Sequence, residues 1–330
     1  MTSHMGNMGN MGNMGNMGNM GNMGNMGNLG NSDGGSAPLP ERQGLPLWAA
    51  QALTIDSTGQ IIKETYQPPG TPLPPMEDAA IANLGPMSTV AWGHKDWGGQ
   101  WKSWLALNEF VGTDWKAAIS IERWDAASRQ VFSHYKTESE ELDELVRLMQ
   151  DERSDALGEI VAQDVLYERF AVFFLRPLRI TPVSHTATCT LLHVAGLIGL
   201  LTVMHFKNQF NRPRPSQYRP TLNPPVSVPG HPAFPSGHAT QSLLMAELVL
   251  AAMGRALAQG PALQAEWKPY LHTLAYRMGR NREIAGLHFE SDSTAGYELA
   301  HKIMQFLEAE FVAGRCPYIK KLVDDAAKEW

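Results

Sequence analysis

Residues 186–205 read Thr-Ala-Thr-Cys-Thr-Leu-Leu-His-Val-Ala-Gly-Leu-Ile-Gly-Leu-Leu-Thr-Val-Met-His, and this stretch decides the fold class. Its apolar run, residues 194–204, has 11 members between His193 and His205. That is too long for a typical strand of about five or six residues and well short of the roughly 20 needed to cross a bilayer. The run therefore predicts a helix inside a protein core. A second apolar run, residues 243–253, is interrupted by Glu247 and reads the same way. Outward from these, helical periodicity dominates. Thr113 and Asp114 stand before a helix expected over 115–135. Ser139 and Glu140 open a run with Leu142, Leu145, Val146 and Met149 at helical spacing. Leu157, Ile160, Val161, Val165 and Leu166 continue it in a helix over 156–174 that ends near Pro177. Further helices are expected over 186–205, 236–259, 266–280 and 291–311. Strand signals are confined to a short pair at 53–55 and 60–62. The expectation is an all-α helical bundle.

The 330 residues are 43% hydrophobic and 18% charged, which excludes a wholly disordered chain. A net charge of -6 argues against nucleic acid or an anionic membrane as a partner held by bulk charge. The composition is uneven along the chain. Residues 5–28 are eight copies of Met-Gly-Asn, followed by Leu29-Gly30-Asn31. Glycine at every third position without proline predicts a disordered tail over 1–35. The Met-x-x-Met spacing suits soft Cu(I), but no His or Cys joins the repeats after His4. Residues 36–75 read as a Pro/Gly-rich arm, and 76–330 as one helical domain. Cys189 and Cys316 are too few for a disulfide framework or a thiolate metal cage, and read as plain thiols. The N-terminal segment lacks the cationic start, apolar core and cleavage site of a secretory leader, so a cytoplasmic location is expected.

The 78 residues between Glu168 and Glu247 contain no Asp or Glu, yet carry Arg169, Arg176, Arg179, Lys207, Arg212, Arg214 and Arg219. The stretch holds +7 and the rest of the chain therefore -13. A cationic cluster in an acidic protein predicts a local site for a small anion. Three blocks carry it. Lys207 and Arg214-Pro215 stand seven apart past a helix end, Pro235-Ser236-Gly237-His238 opens an amphipathic helix, and Asn281-Arg282 precedes His288 and Asp292. Lysine and two arginines supply charge and forked donors for oxyanion oxygens. Ser236 adds a hydroxyl, and Gly237 lets a backbone amide approach at a helix N-terminus. His238 and His288 suit a proton donor and a nucleophile or ligand. His288 and Asp292, at i and i+4, let the carboxylate hold one imidazole proton and leave the other nitrogen free.

These blocks resemble the signatures Lys-x6-Arg-Pro, Pro-Ser-Gly-His and Ser-Arg-x5-His-x3-Asp of the type 2 phosphatidic acid phosphatase and vanadium-dependent haloperoxidase superfamily. They occur in order, with 19 and 43 residues between them, and cover ten fixed positions. Asn281 departs from the usual Ser. The segment from His231 to His238 resembles the bromoperoxidase pattern, with a histidine where chloroperoxidases carry Phe. The resemblance implies a soluble bromoperoxidase-like enzyme that uses hydrogen peroxide to oxidise bromide or iodide at vanadate. In it His288 would ligate vanadium, His238 would act as acid-base, and Asp292 would orient His288. Lys207, Arg214, Ser236, Gly237 and Arg282 would hold the oxygens, and His231 would tune halide oxidation. The alternative it implies is an acid-phosphatase-like phosphomonoesterase, with a phosphohistidine at His288 and phosphate as substrate-derived or competing anion. A homo-oligomer is also implied. A non-enzymatic scaffold assembled by the Met-Gly-Asn arm is a third reading.

His94, His134, His185, His193, His205, His272 and His301 are read as structural. Arg212 and Arg219 are expected to supply field rather than contact. There is no His-Glu-x-x-His zinc motif and no Gly-x4-Gly-Lys phosphate loop.

Overall fold

A computed structural model describes residues 54–55, 61–62, 98–125, 136–164, 166–257 and 259–330. The tail expected over 1–35 lies outside the described residues, as does the arm over 36–75 apart from its strands. The expected strand pair is present: β1 (Thr54–Ile55) pairs antiparallel with β2 (Ile61–Ile62). These strands belong to a unit over 31–95, and the described part of 96–330 forms a second unit.

That second unit is all-α, as the periodicity predicts. Its helices are α1 (Gly99–Val111), α2 (Trp115–Ala118), α3 (Glu138–Asp151), α4 (Arg153–Ala162), α5 (Tyr167–Leu178), α6 (Thr186–Phe210) and the short α7 (Pro215–Tyr218). They continue with α8 (Gly237–Gly254), α9 (Gly260–Ile284), α10 (Glu290–Ala313) and α11 (Pro317–Ala326). The centre is α8, packed against α6, α9 and α10, while α6 also packs against α1 and α11. Helices apolar on every side belong in such positions. As folded, α6 is apolar over a length that could cross a bilayer, and 78% of that window is buried within the protein.

Half-buried carboxylates stitch helix ends. The carboxylate of Glu329 accepts from the Ala187 and Thr188 amides at the start of α6, each at 2.8 Å. Glu109 does the same for Tyr318 and Ile319 at the start of α11, at 2.9 Å. Both place an anion on the positive end of a helix. Thr137 caps α3 in a reciprocal box with Glu140.

Two expected helices are corrected. The one over 115–135 ends at Ala118, because Ile119 is extended and Asp114 makes no capping bond; 126–135 lie outside the described residues. The one over 156–174 breaks between Ala162 and Tyr167, so α4 and α5 are separate. Asp164 stands in the break, where its short polar side chain favours a non-helical backbone. The helices expected over 236–259 and 266–280 run instead over 237–254 and 260–284.

Candidate active site

Four helix ends converge on one place. Lys207 lies in the last turn of α6, Ser236 caps α8, Arg282 ends α9, and Asp292 lies in the first turn of α10. The segment between α6 and α8 brings in Arg214 and His231, and the α9–α10 connection carries His288. All the residues expected to form the site are therefore at helix ends or in the connections between them.

The cations are buried. Lys207 is 1% exposed and its Nζ donates to the Pro232 and Ala233 carbonyls at 2.6 and 2.7 Å, which leaves one donor. Arg214 donates through Nε to the His231 carbonyl at 3.1 Å and through Nη1 to the Leu287 carbonyl at 2.9 Å. Its Nη1 also lies 3.0 Å from His288 Nε2, and its Nη2 lies 3.0 Å from His231 Nδ1. Arg282 donates from Nη2 to the Ile160 carbonyl at 2.7 Å. Its Nε and Nη1 are buried without a hydrogen-bond partner, and the carboxylate of Asp164 comes only to 3.7 Å. Burial holds Lys207 well below the ordinary lysine range, with Arg214 adding to it, and pushes Arg214 and Arg282 down to about 10. These are the signs of cations short of a counter-ion.

The tautomer of His288 follows from its partners. Arginine can only donate, so Nε2 facing Arg214 is an acceptor, and Nδ1 carries the proton toward Asp292 Oδ2 at 3.2 Å. The Phe289 amide donates to the same oxygen at 2.9 Å, and Arg212 donates to Oδ1 at 2.7 Å. Burial works against ionised Asp292, but Arg212, His288 and the Phe289 amide outweigh it and hold the carboxyl well below its usual range. Burial first, and Arg214 next, keep His288 uncharged. His238 places Nε2 2.8 Å from the Gln163 carbonyl, a pure acceptor, so its proton sits on Nε2 and Nδ1 is a free base. Burial, with Arg282, Arg214 and Lys207, pushes that ring down to about 3. Ser236 Oγ accepts from the Ala239 amide at 3.4 Å, which leaves its hydroxyl proton to donate. A Cβ on Gly237 would meet Gln241 and Val203 at 3.8 Å, ordinary van der Waals distances, and Gly237 carries the first helical amide of α8.

Sequence reading missed several members. Gln163 and Asp164 come from the unforeseen break after α4. Asn281 turns away from the cations and donates to Glu159 and to Gln163 Oε1, both at 2.9 Å. Glu138 and Glu141, on α3, are buried beside Arg212, and nothing in their local pattern marks them out. Arg212 contacts Asp292 rather than the open side of the cradle. Arg219 pairs with Asp143 at the surface. Among the histidines read as structural, His193 is buried against the Tyr167 hydroxyl, and His272 and His301 face Glu247; His94 and His134 lie outside the described residues.

The donor set is one imidazole nitrogen, three cations, a hydroxyl and helix amides; it suits an oxyanion rather than a bare metal ion, which would need converging anionic or neutral ligands. Among the described residues, no group of three His, Cys, Asp or Glu side chains is placed to hold a metal ion. No family model matches the chain, and no curated protein matches it.

Proposed function

We propose that the site binds a tetrahedral oxyanion and that the chain is a vanadium-dependent haloperoxidase, oxidising bromide or iodide with hydrogen peroxide. One observation carries the reading. Lys207, Arg214 and Arg282 are buried together, and among the described residues no carboxylate comes within hydrogen-bonding distance of them. Burying a lone cation costs several kcal/mol, so three of them call for an anion. His231, seated against Arg214, supports the bromoperoxidase-like form of the reading.

Vanadate fits these residues. When bound, it supplies Lewis-acid activation of peroxide. His288 offers Nε2 as its protein ligand, and Asp292 retains the proton on Nδ1. Lys207, Arg214, Arg282, the Ser236 hydroxyl and the Gly237 amide hold the oxygens. His238, its Nε2 committed to Gln163, takes a proton at Nδ1. Anion charge offsets the three cations that depress His238, which brings its proton affinity back toward the working range.

The second reading, a phosphomonoesterase, is favoured by the same unprotonated Nε2, which is equally a nucleophile toward a phosphoryl group. A phosphoryl transition state would use the same cradle. The test is bromination of monochlorodimedone by metal-free protein with peroxide, with and without orthovanadate, using His288→Ala as control. Activity that needs both vanadate and His288 is the expected result. Failure of the wild type to brominate, with phosphate-ester hydrolysis blocked by vanadate, transfers the assignment to the esterase.

A further inference from the structure

We propose that Arg212 is a positioning residue of this site, held from behind by Glu141 and Ser291 so that it fixes the Asp292 carboxylate in the orientation that serves His288. Its functional consequence rests on the oxyanion reading above.

Arg212 is fully buried, yet its contacts are not those of the cradle. Nη1 donates to Asp292 Oδ1 at 2.7 Å and to Ser291 Oγ at 2.8 Å, and Nη2 donates to Glu141 Oε2 at 3.1 Å. Glu141 in turn accepts from the Ser291 amide at 2.7 Å and from the Ser291 hydroxyl at 2.8 Å. The guanidinium stacks over Phe289, 3.8 Å from the ring centroid. Phe289 is also the residue whose amide bonds the other oxygen of Asp292. Each Asp292 oxygen thus has a fixed donor, and rotation of the carboxylate away from His288 would break both.

The arrangement also sorts charge. Glu138, Glu141 and Asp292 surround Arg212 on one side, while Lys207, Arg214 and Arg282 carry the cradle's charge. Asp292 links the two groups through its side chain, by way of His288. A lysine could match the charge of Arg212 but not the planar fork that reaches Asp292, Ser291 and Glu141 together.

The test uses the full chain labelled with 15N-histidine. The downfield proton resonance of His288 Nδ1–H, assigned by its loss in His288→Gln, reports the bond to Asp292. Arg212→Gln is the direct variant. Because it leaves buried carboxylates without their cation, Arg212→Gln/Glu141→Gln, which removes one charge of each sign, keeps the question answerable if the single variant does not fold. The resonance is expected in the wild type and is expected to move upfield or vanish in either folded variant, with about a tenfold loss of affinity for inorganic phosphate by calorimetry. An unchanged resonance in a folded variant, or none in the wild type, overturns the proposal, since a role in the fold alone would leave that proton undisturbed. A moved resonance with unchanged phosphate affinity overturns its functional half. If the wild type binds neither phosphate nor vanadate, the oxyanion reading falls while the resonance still decides the role of Arg212.

Discussion

Nε2 of His288 is the atom on which the proposed chemistry turns, because the proton held on the opposite nitrogen leaves it unprotonated, an acceptor that faces Arg214. Replacing His288 with Ala should remove vanadate-dependent bromination and any phosphoryl transfer, while the urea midpoint shifts by no more than about 1–3 kcal/mol of stability; retained turnover would take His288 out of its role. Replacing Asp292 with Asn should cost about 10- to 100-fold in anion affinity, measured by calorimetry, because the amide can present a donor where Nδ1–H needs an acceptor. The histidines also leave a mark on stability. His238 is pushed down to about 3 by burial and the nearby cations, against about 6.5 when unfolded. Between those values the unfolded chain binds more protons. The contribution of His238 is therefore fully present above about 6.5 and is lost as pH falls through that window. Glu283, pushed up to about 7 by burial, acts the other way, binding its proton more tightly when folded. A difference measurement separates them: from pH 7 to 5 the wild type should lose more urea stability than His238→Gln, by up to about 1.4 kcal/mol per pH unit. Equal losses in the two proteins would show that the ring does not titrate in this way. These two histidines and their cations were legible in the sequence because their residue types and spacing are specific. Gln163 was not, since it acts through its backbone carbonyl, which any residue carries.

Elements deliver those atoms, and the contact that sets them is between α10 and α8. A Cβ on Gly296 would come 2.7 Å from the Ser236 carbonyl and 3.0 Å from the Ala239 side chain. Gly296→Ala should therefore push the start of α8 away from α10, at a cost of about 1–3 kcal/mol. Because Ser236, Gly237 and His238 ride on that helix start, phosphate affinity should fall together with the thermal midpoint; a variant that lost stability but kept full affinity would contradict the coupling. The helix breaks were less legible than the helices. Apolar spacing runs smoothly through 156–174, so periodicity predicts one helix. Periodicity reports only which face is buried, and two helices that share a phase look like one. The helix expected from Trp115 rested on the cap signal of Thr113 and Asp114, but Asp114 makes no capping bond and the helix ends at Ala118.

At the scale of the whole molecule, a chain of net charge -6 has gathered four buried cations where several helices end, and three of them, Lys207, Arg214 and Arg282, have no carboxylate within hydrogen-bonding distance among the described residues. An anion that binds only the folded state should therefore stabilise it, by about 2.7 kcal/mol at a hundredfold excess over Kd. Differential scanning calorimetry in phosphate against chloride at equal ionic strength checks this. The gain should vanish in Arg282→Ala, whose wild-type guanidinium has two buried donors without partners. A rise of equal size in chloride would point to screening rather than binding. The all-α class was legible in apolar periodicity, and the proposal of an oxyanion site starts from the three spaced blocks, since both are properties of residue order that survive without coordinates. Which cations face the cradle was settled only on folding: Arg212 and Arg214 are two residues apart, yet one contacts Asp292 and the other His288. The carboxylates that separate their roles, Glu138 and Glu141, are more than 70 positions away in the chain. Charge pairing in a core depends on distances across the fold, and local sequence does not record them.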